Sequence, residues 1–272
     1  MPITVADVTA VAEKLWPASG TESWDAPGLL AGSSSAPVTH IHLAVDAVTD
    51  TADEAVQLGA DLLLVHHPLL LRGVTTVSED GYKGAVLSRL IRGGVSLIAA
   101  HTNADVVETG TSAVLAGHLG LRAVRPIVPG SDPTQGIGRV GELSEPMTLG
   151  RLARRLAELL PATAGGIRVS GDFDTEVSQV ALCGGAGDSL LGYDAVTTSD
   201  VYITSDLRHH PASEFRENAR VAGGPALIDV SHWASEWMWL DVAAHQLREA
   251  LEGVTVTVSD LRTDPWDFVV VQ

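Results

Sequence analysis

Short apolar segments alternate with amphipathic segments through the first half of the chain, and this alternation restricts the folds that it can adopt. Such alternation of strands and helices is typical of an α/β protein with mostly parallel sheets flanked by helices. We therefore predict this fold class. The strand-like segments are THIHLAV, DLLLV and VSLIAA, and the helix-like segments are TADEAVQLG, KGAVLSRLIRGG and TSAVLAGHLG.

A stretch rich in Pro and Gly, PIVPGSDPTQG at residues 126–136, is the best candidate for a linker. A second set of strand and helix patterns follows it and ends in SHWASEWMWLDVAAHQLREAL, which predicts one long helix. We therefore predict two α/β lobes. Residues 1–125 hold an HHP and an HTNAD motif, and residues 126–272 hold a Gly-rich loop and a His-x-x-x-Glu helix.

The composition argues against several partners. The formal net charge is −17 and Lys and Arg form no cluster, so nucleic acid and anionic membrane surfaces are unfavourable partners. No apolar run reaches the ~18 residues of a membrane helix. The single cysteine, Cys183, permits no internal disulfide and is predicted to be a small core residue, and the N-terminus predicts an amphipathic helix rather than a signal peptide. We predict a cytoplasmic protein.

Histidines and carboxylates follow the predicted strands. His66 and His67 follow DLLLV, and His101 and Asp105 follow VSLIAA. The carboxyl ends of parallel strands meet at one edge of a sheet, where ligands bind. Adjacent strand residues point to opposite faces, so His66 and His67 would serve two metal ions, one each. The alternative is that these are polar strand-end residues bonded to backbone.

Two further groups fit a metal site, and each has a simpler alternative. Asp105 could ligate one ion or bridge two, or it could cap a helix as Asn103 could. His232 and Glu236 share one helix face at i, i+4, or they form an exposed helical pair. This nitrogen and oxygen set suits Zn, Mn or Fe and excludes a thiolate site.

Six blocks of sequence carry a family resemblance that covers nearly the whole chain. They are WDAPGLLAG, LLLVHHPLL, IAAHTNAD, CGGAGDSL, DVYITSDLRHH and SHWASEW. In order and spacing they resemble the type 2 GTP cyclohydrolase I homologues, also called the Nif-three-like proteins. The chain departs from the usual family pattern at Ala26 and Pro27, where Asn-Val is usual, and in SHWASE, where Gly-His-Tyr-Ala-Thr-Glu is usual.

The resemblance implies a two-lobed fold, two divalent metal ions in the inter-lobe cleft and a homohexameric ring. It also implies that the substrate is a small molecule, a purine nucleotide, whose ring is opened by hydrolysis. Glu236 takes the bridging place, and the remaining ligands are His66, His67, Asp105 and His232. His101 and His210 are candidate proton carriers. Gly184, Gly185 and Arg208 are candidate substrate contacts, although the glycines could form a tight strand-to-helix turn and Arg208 could be a solvated loop residue.

The residues leave two other functions open. The same centre could serve another metal-dependent hydrolase, such as a phosphoesterase. The protein could also be a non-enzymatic metal-binding or scaffold protein whose ring is the functional unit.

Overall fold

The computed structural model describes residues 2–271 and divides into two compact units. The first contains the chain up to Ala104 together with Leu240–Thr263, and the second contains Asp105–Trp239 and the residues from Asp264 on. Each unit is therefore discontinuous in sequence, whereas the predicted lobes divide the chain once, between residues 125 and 126. Each unit has its own sheet.

The strands fall into two large sheets and one short pair. In chain order they are β1 (Gly28–Ala31), β2 (His40–Asp46), β3 (Leu62–His67), β4 (Ser96–Ala99), β5 (Arg122–Arg125), β6 (Val128–Pro129), β7 (Gly136–Ile137), β8 (Arg139–Thr148), β9 (Arg168–Ser170), β10 (Glu176–Ala186), β11 (Val201–Ser205), β12 (Ala226–Val230) and β13 (Thr255–Val258).

The helices also follow the predicted alternation in the first half of the chain. In chain order they are α1 (Val5–Leu15), α2 (Thr49–Gln57), α3 (Tyr82–Gly93), α4 (Thr102–Asp105), α5 (Thr111–Leu119), α6 (Leu149–Leu159), α7 (Asp194–Thr197), α8 (His209–Ala222), α9 (His232–Trp237) and α10 (Trp239–Ala250), with short 3-10 helices at Ala18–Gly20 and Asp188–Leu190.

The sheet of the first unit confirms the predicted parallel arrangement. Its strand order is β1-β4-β3-β2-β13, and β4, β3, β2 and β13 are parallel to their neighbours. Only the edge strand β1 runs antiparallel among the described strands of this sheet. The carboxyl ends of β2, β3 and β4 therefore meet at one edge.

The sheet of the second unit is mixed, so the prediction of mostly parallel strands is wrong here. Its order is β5-β8-β10-β11-β12-β9, and only β10, β11 and β12 run parallel among its described strands. Antiparallel strands can carry polar residues on a solvated face, as Glu142 and Ser144 do on β8. That alternation was the signal in the sequence.

Two other sequence interpretations change. The predicted linker contains a hairpin, in which Val128 pairs with Ile137 and Pro129 with Gly136. The predicted long helix after β12 is split at Met238 into α9 and α10. At the other end of the chain, α1 is the helix that the N-terminal pattern predicted, and Thr4 caps it in a capping box with Asp7.

Each unit has its own apolar core. In the first, Leu63 and Val65 of β3 pack in a cluster with residues of α2, α3 and β4. In the second, the cluster includes Ala181 of β10, Tyr202 of β11 and Leu227 of β12. Within residues 2–271, none of the helices has the length and apolar character needed to cross a bilayer.

Leu63→Ala tests the first core. Leu63 is fully buried on β3, so we expect the lost contacts and the cavity to lower the free energy of unfolding by about 2–5 kcal/mol. The control is Leu58→Ala at the half-exposed end of α2, for which we expect about 0.5 kcal/mol or less. Urea denaturation measures both, and equal losses would contradict this account of the core.

Candidate metal centre

His66 lies at the end of β3 and is fully buried. Its Nδ1 donates to the backbone carbonyl of Ala100 at 2.8 Å. Because the carbonyl can only accept, this bond places the proton on Nδ1 and leaves the lone pair on Nε2. The backbone bond that could have made His66 a purely structural residue therefore also prepares it as a metal ligand.

His67 is the last residue of β3 and is oriented by Asp46. In the parallel register Asp46 lies opposite His67, and its Oδ1 is 2.7 Å from Nδ1 of the imidazole. The other oxygen of Asp46 accepts a hydrogen bond from the Thr263 hydroxyl. A carboxylate on one ring nitrogen is the usual means of orienting a metal-binding histidine, and it fixes Nε2 as the ligand atom.

His101 follows β4 and is oriented by a second carboxylate, Asp25. Nδ1 of His101 lies 2.8 Å from Oδ1 of Asp25, whose side chain is fully buried. The other oxygen of Asp25 accepts from the backbone N–H of Thr102 at 3.0 Å. Burial by itself would raise the pKa of Asp25, but hydrogen bonds from His101 and Thr102 outweigh it and lower the pKa.

These three histidines form one group. The ring centroids of His66 and His67 are 5.0 Å apart, and those of His101 lie 5.1 and 5.4 Å from them. One candidate ligand atom from each lies within 4.8 Å of the others. The expected divergence of His66 and His67 is therefore limited, because His67 is the last residue of its strand. His101, expected as a proton carrier, is also placed where it could ligate.

His232 and Glu236 form a pair on α9, as their spacing predicted. Nε2 of His232 lies 3.0 Å from Oε1 of Glu236, and its Nδ1 lies 2.7 Å from Oδ2 of Asp206. Glu236 is only 3% exposed, so the alternative of an exposed helical pair is wrong. Burial disfavours the charged imidazolium, but the two carboxylates outweigh it and raise the pKa of His232 well above its usual value.

The Gly-rich segment lies directly against this pair. Gly185 has a φ of +69°, and a Cβ there would lie 2.3 Å from Oε1 of Glu236 and 3.1 Å from Nε2 of His232. Its N–H donates to Ser235 at 2.9 Å, and the N–H of Gly184 donates to Ser112 at 3.0 Å. Both glycines lie within β10, where its register with β11 shifts between Leu182 and Ala186, and not in the turn that the sequence left open. Their amides donate to serine hydroxyls of the protein itself.

Asp105 lies at the end of α4, where its Oδ1 accepts from the Thr111 hydroxyl at 2.5 Å. The capping alternative does not need Asp105, because Asn103 accepts from the backbone N–H of His101 at 2.9 Å.

The thiol of Cys183, near Asp105, gives no competing ligand. Burial raises the pKa of Cys183 to about 12, so the thiol stays protonated in the core, where the sequence placed it.

The remaining candidates lie on the surface. The Arg208 side chain is 76% exposed and pairs with Asp188 at 2.6 Å, as expected of a solvated residue. His210 is exposed at the start of α8, with its ring centroid 5.2 Å from that of His209. Within residues 2–271, no group of three closely spaced metal-type ligands contains either histidine.

Sequence reasoning did not predict that aspartates orient the histidines. Asp46 ends β2, and Asp206 directly follows β11 with a φ of +57°. Both obey the strand-end rule that found the histidines, so the sequence contained that signal. Asp25 follows no strand, so the WDAPG block that contains it carries no such signal.

The fold and site define a class: α/β proteins in which strand-end histidines, oriented by carboxylates, could hold divalent metal. A family model for Duf34/NIF3 (NGG1p interacting factor 3) matches residues 3–265. The chain belongs to this family, which confirms the resemblance seen in its sequence blocks.

Individual proteins support this assignment. A GTP cyclohydrolase 1 type 2 homolog of Streptomyces coelicolor is 48% identical over 269 residues, covering 96% of this chain and 93% of its own. A protein of the same name from Mycobacterium tuberculosis is 34% identical, with 98% of each chain covered. The crystal structure of a Bacillus cereus protein related to NIF3 matches with a TM-score of 0.89 at 23% identity, covering 99% of this chain and 100% of that one, and shows the same fold.

Asp46→Asn tests the orienting role of the aspartates. Removing this charge weakens the bond that holds His67, so we expect metal affinity to fall by roughly 10–100-fold. Asp53→Asn is the control, because Asp53 is an exposed carboxylate whose partner is Arg89. Competition against a chelator with Zn²⁺ or Mn²⁺ measures the affinities, and equal values for the two variants would contradict the role of Asp46.

Gly185→Ala tests the close approach to Glu236. We expect the added methyl group to displace the carboxylate, weakening metal binding and destabilising the fold. Gly166→Ala is matched in backbone strain, because Gly166 has a φ of +58° but a Cβ there would meet no atom within 4 Å. Its expected cost is about 1–2 kcal/mol from the left-handed backbone, with unchanged metal affinity. If both variants bound metal equally well, the steric account would fail.

Proposed function

We propose that this protein is a metal-dependent hydrolase with two divalent ions, Zn, Mn or Fe. The residues that would hold them are His66, His67, Asp105, His232 and Glu236. One observation carries the proposal. Each of His67, His101 and His232 has its Nδ1 against an aspartate. This contact orients the ring and leaves Nε2 as the atom that would act on a metal ion or a substrate.

The donor set fits such ions. His66 donates from Nδ1 to a carbonyl, and this bond leaves the lone pair of Nε2 to face a metal ion. Glu236 is a buried carboxylate next to His232, and burying a carboxylate is costly unless a cation or donors compensate it. Imidazole and carboxylate together suit Zn, Mn and Fe better than Mg or Ca, which prefer oxygen ligands alone.

When bound, divalent ions would supply Lewis-acid chemistry for hydrolysis. The protein's own residues would orient the substrate and move protons. Asp25 holds Nδ1 of His101, so that Nε2 of His101 is the atom that could take up and return a proton. Among the described residues no carboxylate is hydrogen-bonded to the ring of His210, which is exposed on α8, and we assign the proton transfer to His101.

The substrate we propose is a purine nucleotide, whose ring would be opened hydrolytically. Support comes from the relatives named GTP cyclohydrolase 1 type 2 homolog, one of which is 48% identical to this chain over 269 residues. The homohexameric ring, the cytoplasmic location and the site in an inter-lobe cleft stay predictions.

Metal content tests the centre. We expect two ions per chain at saturation, and at most one after the double substitution His232→Ala with Glu236→Gln. The matched control is His245→Ala with Glu249→Gln, which removes an exposed i, i+4 His–Glu pair from α10. Elemental analysis of dialysed protein measures the content. Fewer than two ions in the wild-type protein, or equal losses in both double variants, would refute the dinuclear centre.

Turnover tests the reaction. Metal-loaded protein incubated with GTP should release formate and change the purine absorption spectrum, and the His232/Glu236 double variant should not. Cleavage of a phosphoester panel with GTP untouched would indicate a phosphoesterase instead. Metal binding with no turnover of either would indicate a metal-binding or scaffold protein.

A further inference from the structure

Trp24 is an exposed aromatic residue beside the three histidines of the first unit. Its exposed fraction is 57%, and its ring centroid lies 5.8 Å from that of His101, with the two planes at 79°. Leaving a large indole in water forgoes the favourable free energy of burying it. An exposed indole next to candidate metal ligands therefore suggests a binding surface.

The turn that carries Trp24 is fixed on both sides. The backbone N–H of Asp25 donates to the carbonyl of Glu22 at 3.0 Å, closing a turn with Trp24 inside it. The Thr102 hydroxyl accepts from the N–H of Glu22 at 3.0 Å and donates to Asp25. Asp25 in turn orients His101. The hydrogen bonds of Asp25 and Thr102 therefore fix both the ring of His101 and the backbone of the turn that contains Trp24.

We propose that Trp24 is the stacking platform for a planar heteroaromatic ring of the substrate. The inference rests on the proposed function and adds to it the residue that recognises the base. An indole offers a wide π face, and stacking a base on an aromatic side chain contributes about 1–3 kcal/mol. A ring stacked on Trp24 would lie next to His101, the residue we assign to proton transfer.

The chemistry of the turn favours an uncharged ring over an anion. The residue after Trp24 is the carboxylate Asp25, which accepts hydrogen bonds from His101 and Thr102. An anionic group placed there would be repelled, whereas a neutral base would gain the stacking energy. The phosphate groups of a nucleotide would thus point away from this turn.

Guanosine, which has the base and the sugar but no phosphate, is the direct probe. We expect Trp24→Ala in the metal-loaded protein to weaken guanosine binding by roughly 5–150-fold, the stacking energy converted at ~1.4 kcal/mol per tenfold. Trp24→Phe keeps a smaller ring and should lose less. Trp266→Ala is the control, because Trp266 is 68% exposed in the C-terminal segment, and it should bind as the wild type does. Isothermal titration calorimetry measures all four proteins.

Two results would overturn the proposal. One is equal guanosine affinity in the wild type and Trp24→Ala, and the other is no guanosine binding to the metal-loaded wild type. Metal content separates this failure from failure of the centre, because Trp24→Ala should hold as many ions as the wild type. In turnover, we expect the Trp24→Ala change to appear mainly in KM. Ribose 5-phosphate binding as tightly as guanosine would also count against stacking.

Discussion

The parallel register of β2, β3 and β4 is the constraint on which the histidine group of the first unit depends. It sets Asp46 directly opposite His67 and Val65 opposite Ala99, so that His66 comes level with the carbonyl of Ala100. A slip of one residue would turn each side chain to the other face of the sheet. Both faces of β3 are buried, so a slip would place an imidazole where an apolar side chain now packs, and the core thereby holds the site in register.

The same local arrangement occurs in both units. His67 and His101 in the first unit, and His232 in the second, each place Nδ1 against an aspartate carboxylate. This contact fixes ring orientation and tautomer before any ligand arrives, which reduces what must be ordered on binding. Gly185 contributes in another way, since only the absence of a side chain lets β10 approach Glu236.

Sequence reasoning was most accurate where the relevant geometry is local. The strand periodicity located β2, β3 and β4, and helical spacing paired His232 with Glu236. It was least accurate where several structures share one pattern. A Gly-rich segment at the end of a predicted strand fits both a phosphate loop and a tight turn, whereas in the structure Gly184 and Gly185 lie within β10 at a shift of its register with β11. The antiparallel strands of the second sheet were missed for a different reason, because the alternation of buried and exposed residues on β8 was not used.

The sequence by itself determined the α/β class, the family and the histidines at the strand ends. These follow from periodicity and from residue order, which are properties of neighbouring residues. The tertiary structure decided which carboxylate serves which histidine. Asp46 is 21 residues from His67, and Asp25 is 76 residues from His101. Such distant partners meet only through strand order and register, because hydrogen bonds form between groups that are close in space, whatever their separation along the chain.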